Sequence, residues 1–201
     1  MIHKNKYFDQ RLIASKYIQR FLGLNSATDM LNLKLFPNVK EIGESMAMFY
    51  AVTEKIKVWD KRIKQDSNNV NIVVVGDGVS PRTACLFNFL TKWNTWSIDP
   101  NMRLVSYDNV KRLTVIPDKI ENVKLQFDDD QIVIIILPHS HAPIFQCWDN
   151  IQANQKWLIK MPCCTHDNLN FPGYYYRDPF AITAKNEIYI WSNYKTLVNA
   201  N

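Results

Sequence analysis

The side chains best suited to chemistry gather in two short groups in the second half of the chain. Three of the four histidines and three of the four cysteines fall between residues 139 and 166. His139 and His141 follow the apolar run IIILP. Cys163, Cys164 and His166 follow the apolar run WLIKMP. Both runs are typical of parallel strands, whose carboxyl ends meet at one edge of a sheet, so we expect both groups to face one cleft.

These side chains are suited to more than one kind of chemistry. A histidine, with an ordinary pKa of ~6.5, can accept a proton from a reacting group at neutral pH. Histidine and cysteine are also zinc ligands, but adjacent cysteines lack the C-x-x-C spacing and no second pair exists, so we predict no metal. A Cys–His nucleophile pair would need an orienting residue that the sequence does not reveal. A purely structural role is the remaining alternative.

A second candidate site lies where a β-branched run meets a glycine turn, in "NIVVVGDGVSPRTACLFNFL". Gly76 and Gly78 allow a tight turn and a close approach of a ligand to the backbone, and the helix that follows presents free amides. Asp99 ends the next strand, 23 residues after Gly76, where a carboxylate can accept hydrogen bonds from ribose hydroxyls. We therefore expect Gly76 and Asp99 to line one cavity that holds a nucleoside-bearing cofactor. A simple turn followed by a capped acid is the alternative.

The segments "VVVGDGVSPRTACLFNFL" and "WSIDP" resemble the first two motifs of the class I, Rossmann-like S-adenosylmethionine-dependent methyltransferases. The resemblance covers residues 70–166 loosely and implies S-adenosylmethionine as the cofactor. The residues that it implies for cofactor binding are Gly76, Asp77, Gly78 and Ser80 in the loop, Asp99 at the ribose, Asp118 at the adenine and Pro138 after the fourth strand. His139 and His141 then stand where this family places catalytic residues, with Cys163, Cys164 and His166 on the substrate side.

The sequence also departs from the family pattern. Val74 stands where an acid is usual, and Ser80 replaces the third glycine; Asp77 could supply the missing charge. Pro81 stands where a dinucleotide-binding fingerprint requires glycine, which weakens a nicotinamide-cofactor interpretation. These departures leave open a catalytically silent protein with the same fold, which serves as a binding module or partner subunit.

Hydrophobic periodicity predicts the elements that position these residues. Two helices are expected first, over 6–22 and 39–63, the second preceded by Pro37 and Asn38. Strands are expected over 70–75, 95–98, 112–116, 132–137, 157–161 and 187–191, with helices over 81–93 and 142–151 and Ser80 as the N-cap of the first. Alternating strands and helices indicate an α/β fold with a Rossmann-like, mostly parallel sheet. We divide the chain into an N-terminal helical extension, 1–66, and a cofactor-binding domain, 67–201.

Composition and charge bound the partners. The chain has 201 residues, of which 47% are hydrophobic, and a net charge of +5, which fits RNA or another nucleotide-containing substrate. The tyrosines at 174–176 suit base stacking, and they suit core packing or an edge strand at least as well. No signal-like segment, membrane-length apolar run or cysteine framework occurs, so we expect a cytoplasmic, reduced protein with no membrane partner.

Overall fold

The computed structural model describes residues 16–103, 105–164, 168–195 and 197. Its helices are α1 (described over residues 16–22), α2 (Ala27–Asn32), α3 (Val39–Tyr50), α4 (Lys57–Trp59), α5 (Arg82–Leu90) and α6 (Ile144–Asn150). A π-helical turn, Ala51–Ile56, joins α3 to α4, and a 3₁₀ turn spans Ile120–Asn122. Among these described helices, none combines the length and the apolar character that crossing a membrane requires.

Nine strands were found in this part of the chain. They are β1 (Val70–Val75), β2 (Asn94–Ile98), β3 (Leu113–Ile116), β4 (Leu125–Gln126), β5 (Ile132–Pro138), β6 (Ile151–Gln152), β7 (Gln155–Met161), β8 (Tyr174–Arg177) and β9 (Glu187–Ser192). Seven of them form one sheet in the order β3-β2-β1-β5-β7-β9-β8, and β4 pairs with β6. Five neighbouring strands of this sheet, β3, β2, β1, β5 and β7, are parallel to one another. The strand β9 runs antiparallel to both β7 and β8. The predicted Rossmann-like α/β fold is therefore confirmed.

The centre of the sheet is covered on both faces. Every residue of β1 and of β5 is buried, which explains why these strands read as continuous apolar runs rather than as alternating ones. One apolar cluster joins the sheet to α3 and α5, and a second joins the opposite face to α6. The first cluster also includes Tyr17, Phe21 and Met30, so the N-terminal helices share their core with the sheet.

Helix α3, the second of the two helices predicted before the sheet, begins where the sequence predicts. The side chain of Asn38 accepts a hydrogen bond from the backbone N–H of Glu41 and so caps α3. The predicted continuous helix to Ile63 is wrong at its far end, because the π-helical turn interrupts it and the helix ends at Trp59. Asp60 is extended, and its carboxylate accepts hydrogen bonds from the backbone and side chain of Arg62.

Strand order reverses at β1, which pairs with β2 on one side and with β5 on the other. In open parallel sheets such a reversal leaves a crevice beyond the carboxyl ends of the strands. The loops after β1, β2 and β5 carry the predicted glycine turn, Asp99 and His139, so the fold brings the two candidate groups to one edge.

Candidate functional site

A cavity of about 330 Å³ opens beyond the carboxyl ends of β1, β2 and β5. Gly76 and Asp99 both line it, as expected from the sequence. The predicted residues Asp118, His139 and His141 also line the cavity. The described lining includes in addition Pro100, Asn101, Lys119, Ile120, Glu121 and Ser140. The structure thus places five of the predicted site residues around one space, whose volume lies within the range of ligand pockets, ~300–1,000 Å³.

Gly76 is required by the contact between two loops. Its φ of +80° lies in the left-handed region, and a Cβ built on it would stand 2.1 Å from Oγ of Ser140. The loop after β1 therefore packs directly against the loop after β5 at the cavity wall. Any larger residue at position 76 would both strain the backbone and displace Ser140.

Asp99 is held rigidly at the cavity wall. Its Oδ2 accepts a hydrogen bond of 2.8 Å from the backbone N–H of Gly78, and its Oδ1 accepts one of 2.8 Å from that of Asn101. A carboxylate has about four lone-pair sites, so each oxygen retains capacity for a second donor such as a hydroxyl. The acid is only 7% exposed and yet lines the cavity. It is a fixed acceptor pair beside the glycine loop.

Gly78 does not line the cavity, because a side chain of the protein itself lies over it. A Cβ at this position, where φ is +86°, would stand 2.4 Å from the guanidinium of Arg82. Arg82 in turn forms an ion pair of 2.7 Å with Glu41 of α3. The space above this glycine, which the sequence suggested for a ligand, is thus occupied by a guanidinium that the N-terminal helical segment holds in place.

Asp77 and Ser80 are used within the fold. The Asp77 carboxylate is fully buried and accepts hydrogen bonds from the backbone N–H groups of Thr83 and Ala84 and from the hydroxyl of Ser97. Burial raises the pKa of this carboxyl, although the charge of Arg82 and the three hydrogen bonds oppose that rise. Asp77, which does not line the cavity, therefore satisfies the free amides of α5.

The prediction that Ser80 caps α5 is wrong, because the helix begins at Arg82 and Pro81 occupies the N-cap position. The hydroxyl of Ser80 instead donates to the carbonyl of Leu35, 2.5 Å away. This bond ties the glycine loop to the segment between α2 and α3. Ser80 is buried and does not line the cavity.

Asp118 follows β3 and Pro138 ends β5, two strands that are separated in the sheet by β2 and β1. Asp118 lines the cavity, and its Oδ1 accepts hydrogen bonds from the backbone of Lys119 and the side-chain amide of Asn122. These hydrogen bonds, that of Asn122 above all, lower the pKa of the Asp118 carboxyl. Pro138 is the last residue of β5, paired with Met161, and is not part of the described lining. Their predicted cofactor contacts stay predictions.

His139 is held by an acid from the N-terminal helical segment. Its Nε2 lies 3.0 Å from Oε1 of Glu44 and 3.2 Å from Oγ1 of Thr183, and its own φ is +52°. Burial raises the pKa of Glu44, but the nearby imidazole of His139 and the ammonium of Lys40 outweigh it, and the net pKa is lowered. The hydrogen bond of Nε2 is the one to the Thr183 hydroxyl, and the buried Oε1 of Glu44, although 3.0 Å from the same nitrogen, has no hydrogen-bond partner among the described residues.

Glu44 is the functional candidate that sequence reasoning missed. It lies between Ile42 and Met46 on the predicted amphipathic helix, and nothing in the periodicity separates it from a solvated acid. In the structure residues 42–49 are all buried, and Glu44 is 3% exposed. The available signal was that Glu44 is the one charged residue in the run "IGESMAMFYAV", residues 42–52.

His141 lies apart from His139 and faces the cysteines. Its Nε2 is 3.3 Å from Sγ of Cys163, and its Nδ1 is 3.3 Å from Sγ of Cys164. His141 and Cys164 are exposed and Cys163 is half-buried. His166, the third residue predicted for this group, lies outside the described residues. The loops after β5 and β7 thus meet as expected, but the two histidines have different surroundings.

The fold and the cavity define a Rossmann-like α/β protein with a candidate ligand site at the strand-order reversal. No protein-family model and no curated protein sequence matches the chain.

Solved structures that are similar to it include phosphoethanolamine N-methyltransferase 1 of Haemonchus contortus in complex with phosphoethanolamine and S-adenosylhomocysteine, with a TM-score of 0.49 and 9% identity. That alignment covers 99% of this chain and 51% of the other, so the chain spans about half the length of that enzyme.

Two further structures are similar at comparable levels. A point mutant of MtNAS in complex with S-adenosylmethionine aligns with a TM-score of 0.47 and 10% identity, over 90% of this chain and 71% of the other. The plantazolicin methyltransferase BpumL in complex with SAH aligns with a TM-score of 0.35 and 12% identity, over 76% and 58%. The ligands belong to those proteins, and the fold of this chain rests on its own strand order.

Proposed function

We propose that the protein binds S-adenosylmethionine in the cavity beyond β1 and β2 and transfers its methyl group to an acceptor. The observation that carries this proposal is the pair formed by Gly76 and Asp99. The glycine brings bare backbone to the cavity wall, and the acid offers two fixed carboxylate oxygens 2.8 Å from the amides that hold them. A ribose needs such a carboxylate, which can accept from both of its hydroxyls.

The residues present fit the nucleoside half of this cofactor. Asp99 would accept from the ribose hydroxyls, and Asp118, on the same lining, would accept from the adenine amino group. Ile120 and Pro100 supply apolar surface for the base. When bound, S-adenosylmethionine supplies an electrophilic methyl group on a sulfonium sulfur. The protein must then align the acceptor with that group and take up a proton where the acceptor carries one.

His139 is the residue that we propose for proton uptake. It lines the cavity, and its Nε2 lies 3.0 Å from the carboxylate of Glu44, whose negative charge would stabilise the imidazolium that forms when the ring takes up a proton. General bases of this kind contribute ~10²–10⁴-fold to rate. Glu44 is a positioning residue in this scheme, because it acts through the histidine ring.

For the acceptor we propose RNA or another nucleotide-containing molecule. The support is the net charge of +5, since phosphate backbones attract an excess of lysine and arginine. Incubation with methyl-labelled cofactor, followed by separation of RNA, protein and small molecules, assigns the label to one class. Label in a phosphate-free small molecule would overturn this part of the proposal.

A second candidate function is supported by the surroundings of the glycine loop. Val74 and Asp77 both have no exposed surface, and the Asp77 carboxylate, which could have supplied the charge missing at position 74, accepts from amides of α5 and does not line the cavity. Arg82, already paired with Glu41, lies over Gly78. These features suit a catalytically silent protein that binds a nucleoside ligand and serves as a partner subunit.

Calorimetric titration with S-adenosylmethionine and S-adenosylhomocysteine tests the proposal. We expect both to bind and Asp99→Ala to weaken binding more than tenfold, because hydrogen bonds to a charged group contribute ~1.5–3 kcal/mol each. Asp66→Ala, an exposed acid before β1, is the matched control. Binding followed by label transfer supports the enzyme, and binding without transfer supports the silent module. Absence of binding at millimolar ligand rejects the enzyme and favours the silent protein.

A further inference from the structure

We propose that His141, Cys163 and Cys164 form a binding site for a thiophilic divalent cation of the zinc class at the edge of the cavity. One ligand atom from each of the three residues lies within 4.8 Å of the others. The site goes beyond the proposed methyl transfer and does not depend on it. Its three ligands come from two separate loops, after β5 and after β7, that only the fold brings together.

The spacing of the ligand atoms is close to what one ion requires. In a tetrahedral site with bonds of ~2.3 Å to sulfur and ~2.0 Å to nitrogen, a sulfur and a nitrogen ligand stand ~3.6 Å apart. The distance from His141 Nε2 to Cys163 Sγ is 3.3 Å. Only a few tenths of an ångström of separation is needed to admit the ion between them. Cys164 is exposed, so its side chain can rotate from the Nδ1 side of the ring toward the same ion.

The backbone answers the objection that adjacent cysteines lack the C-x-x-C spacing. Adjacent cysteines on an extended strand point to opposite faces and cannot chelate together. Here β7 ends at Met161, and Cys163 and Cys164 lie in the bend that follows. Both sulfurs therefore reach a single imidazole ring, one at each nitrogen.

The charges around the site are compatible with a divalent ion. The ammonium of Lys185 donates to the carbonyl of Cys163, so one positive charge is already nearby. Two thiolates neutralise a divalent cation, so the loaded cluster adds no net charge beside Lys185. Binding must then release up to two protons, one from each thiol.

The described residues supply three ligands to the ion, and three protein ligands with a fourth position for water or substrate is the arrangement of catalytic zinc sites. Because His141 also lines the cavity, the ion would stand at the cavity edge, where water or a group of a bound ligand can complete its coordination. The class of ligand that this favours is a thiol, an imidazole or another soft donor.

The test is titration of the purified, reduced full chain with Co²⁺ and Zn²⁺. We expect a thiolate-to-cobalt charge-transfer absorption that saturates at one equivalent, bound zinc at one ion per chain by elemental analysis, and proton release on binding. Cys163→Ser, Cys164→Ser and His141→Ala should each weaken affinity about tenfold or more, because even partners that only orient a ligand are worth ~10–100-fold. All three positions are at least partly exposed, so circular dichroism should show folded variants.

The matched control is the double variant Cys85→Ala and Cys147→Ala, which removes the two fully buried cysteines and keeps the candidate ligands. It should bind as the parent does. Absence of the thiolate–cobalt band, or affinity unchanged in Cys163→Ser and Cys164→Ser, overturns the proposal. Because neither readout uses S-adenosylmethionine, failure here is distinguishable from failure of the methyl-transfer proposal.

Discussion

Glu44 Oε1 lies 3.0 Å from Nε2 of His139, which joins the helical segment before the sheet to the loop after β5. The acid comes from α3 and is almost wholly buried, and the histidine adopts a left-handed backbone conformation to meet it. A buried carboxylate is costly unless it is paired, so each partner stabilises the charged or oriented form of the other. The region before β1 therefore takes part in the candidate site.

Replacement of Glu44 by glutamine tests this pair. If His139 is the base, Glu44→Gln removes the negative charge beside its Nε2, and we expect turnover to fall by part of the ~10²–10⁴-fold that a general base contributes, with little change in cofactor affinity. Lys40→Ala is the control, because it removes the exposed partner of Glu44 and keeps the contact with His139. Equal turnover in the parent and Glu44→Gln would contradict the role.

The same variant changes the pH dependence of stability. The folded pKa of Glu44 is lowered, so its stabilising contribution is fully present above the ordinary glutamate pKa of ~4.3 and is lost as the pH falls below that value. In Glu44→Gln the free energy of unfolding, measured by urea denaturation at several pH values, should therefore fall less steeply as the pH drops below ~4.3. If the free energy of unfolding of the variant fell as steeply with acid as that of the parent, the Glu44–His139 pair would contribute nothing to stability.

Gly76→Ala should damage the cavity wall. The left-handed φ costs a residue with a Cβ ~1–2 kcal/mol, and the clash with Ser140 adds ~1–3 kcal/mol. We expect urea denaturation to show a loss of about 2–5 kcal/mol. Adding Ser140→Gly to this variant should restore only the part due to the clash. A Gly76→Ala protein within ~0.5 kcal/mol of the parent would refute the packing described here.

Asp77→Asn separates a structural acid from a ligand-binding one. An amide replaces one acceptor oxygen with a donor, which leaves an N–H of α5 or the Ser97 hydroxyl unsatisfied at a cost of ~1–3 kcal/mol. We expect lower thermal stability with unchanged affinity of the folded protein for S-adenosylmethionine. Asp66→Asn, at an exposed position, should change neither. Weaker cofactor binding without loss of stability would restore the role that the sequence suggested.

Tyr194→Phe tests a link between the segment after α4 and the segment after β9. The Tyr194 hydroxyl donates to Asp60 at 2.7 Å and accepts from the indole N–H of Trp157. Burial raises the pKa of Asp60, but hydrogen bonds from Arg62 and Tyr194 outweigh it and lower the pKa to about 2. This contribution to stability is present above the ordinary aspartate pKa of ~3.9 and is lost as the pH falls toward 2.

The variant should therefore lose ~1–3 kcal/mol near neutral pH, because Trp157 is left without its acceptor, and should depend less on pH between ~4 and ~2. Thermal melts across that range measure both effects. Tyr175→Phe, at a residue 61% exposed, is the matched control and should melt as the parent does. An unchanged melting profile for Tyr194→Phe would mean that this network does not stabilise the fold.

The architecture was predictable because its signals are local. The β-branched run of β1, the apolar run of β5 and the cap at Asn38 each depend on neighbours within a few residues. The end of the helix at Trp59 could not be predicted locally, because the extended Asp60 that follows it is hydrogen-bonded to Tyr194, 134 residues away. Local pattern likewise left the tyrosines of β8 open between base stacking, core packing and an edge strand, and the structure places β8 at the sheet edge.

The site was predictable in its location and less so in its details. Strand ends fix where backbone and loops go, so Gly76, Asp99 and His139 could be brought to one cavity by topology alone. The direction of a side chain is a different matter. Asp77 stands in the same turn as Gly76 but faces inward to α5, and sequence has no signal that distinguishes a helix-capping acid from a ligand-binding one.

The shared core of the N-terminal helices and the sheet bears on how the protein can be divided. Phe21, Met30 and Met46 pack in the same cluster as residues of β1 and β5. A chain begun at Ser67 would keep α5 on this face of the sheet, but it would lose the cover that α1, α2 and α3 provide and would lose Glu44 as well. Position 66 marks a change of sequence pattern. Because the helices before it and the sheet after it share one core, we expect both to unfold in a single thermal transition, as one cooperative unit does.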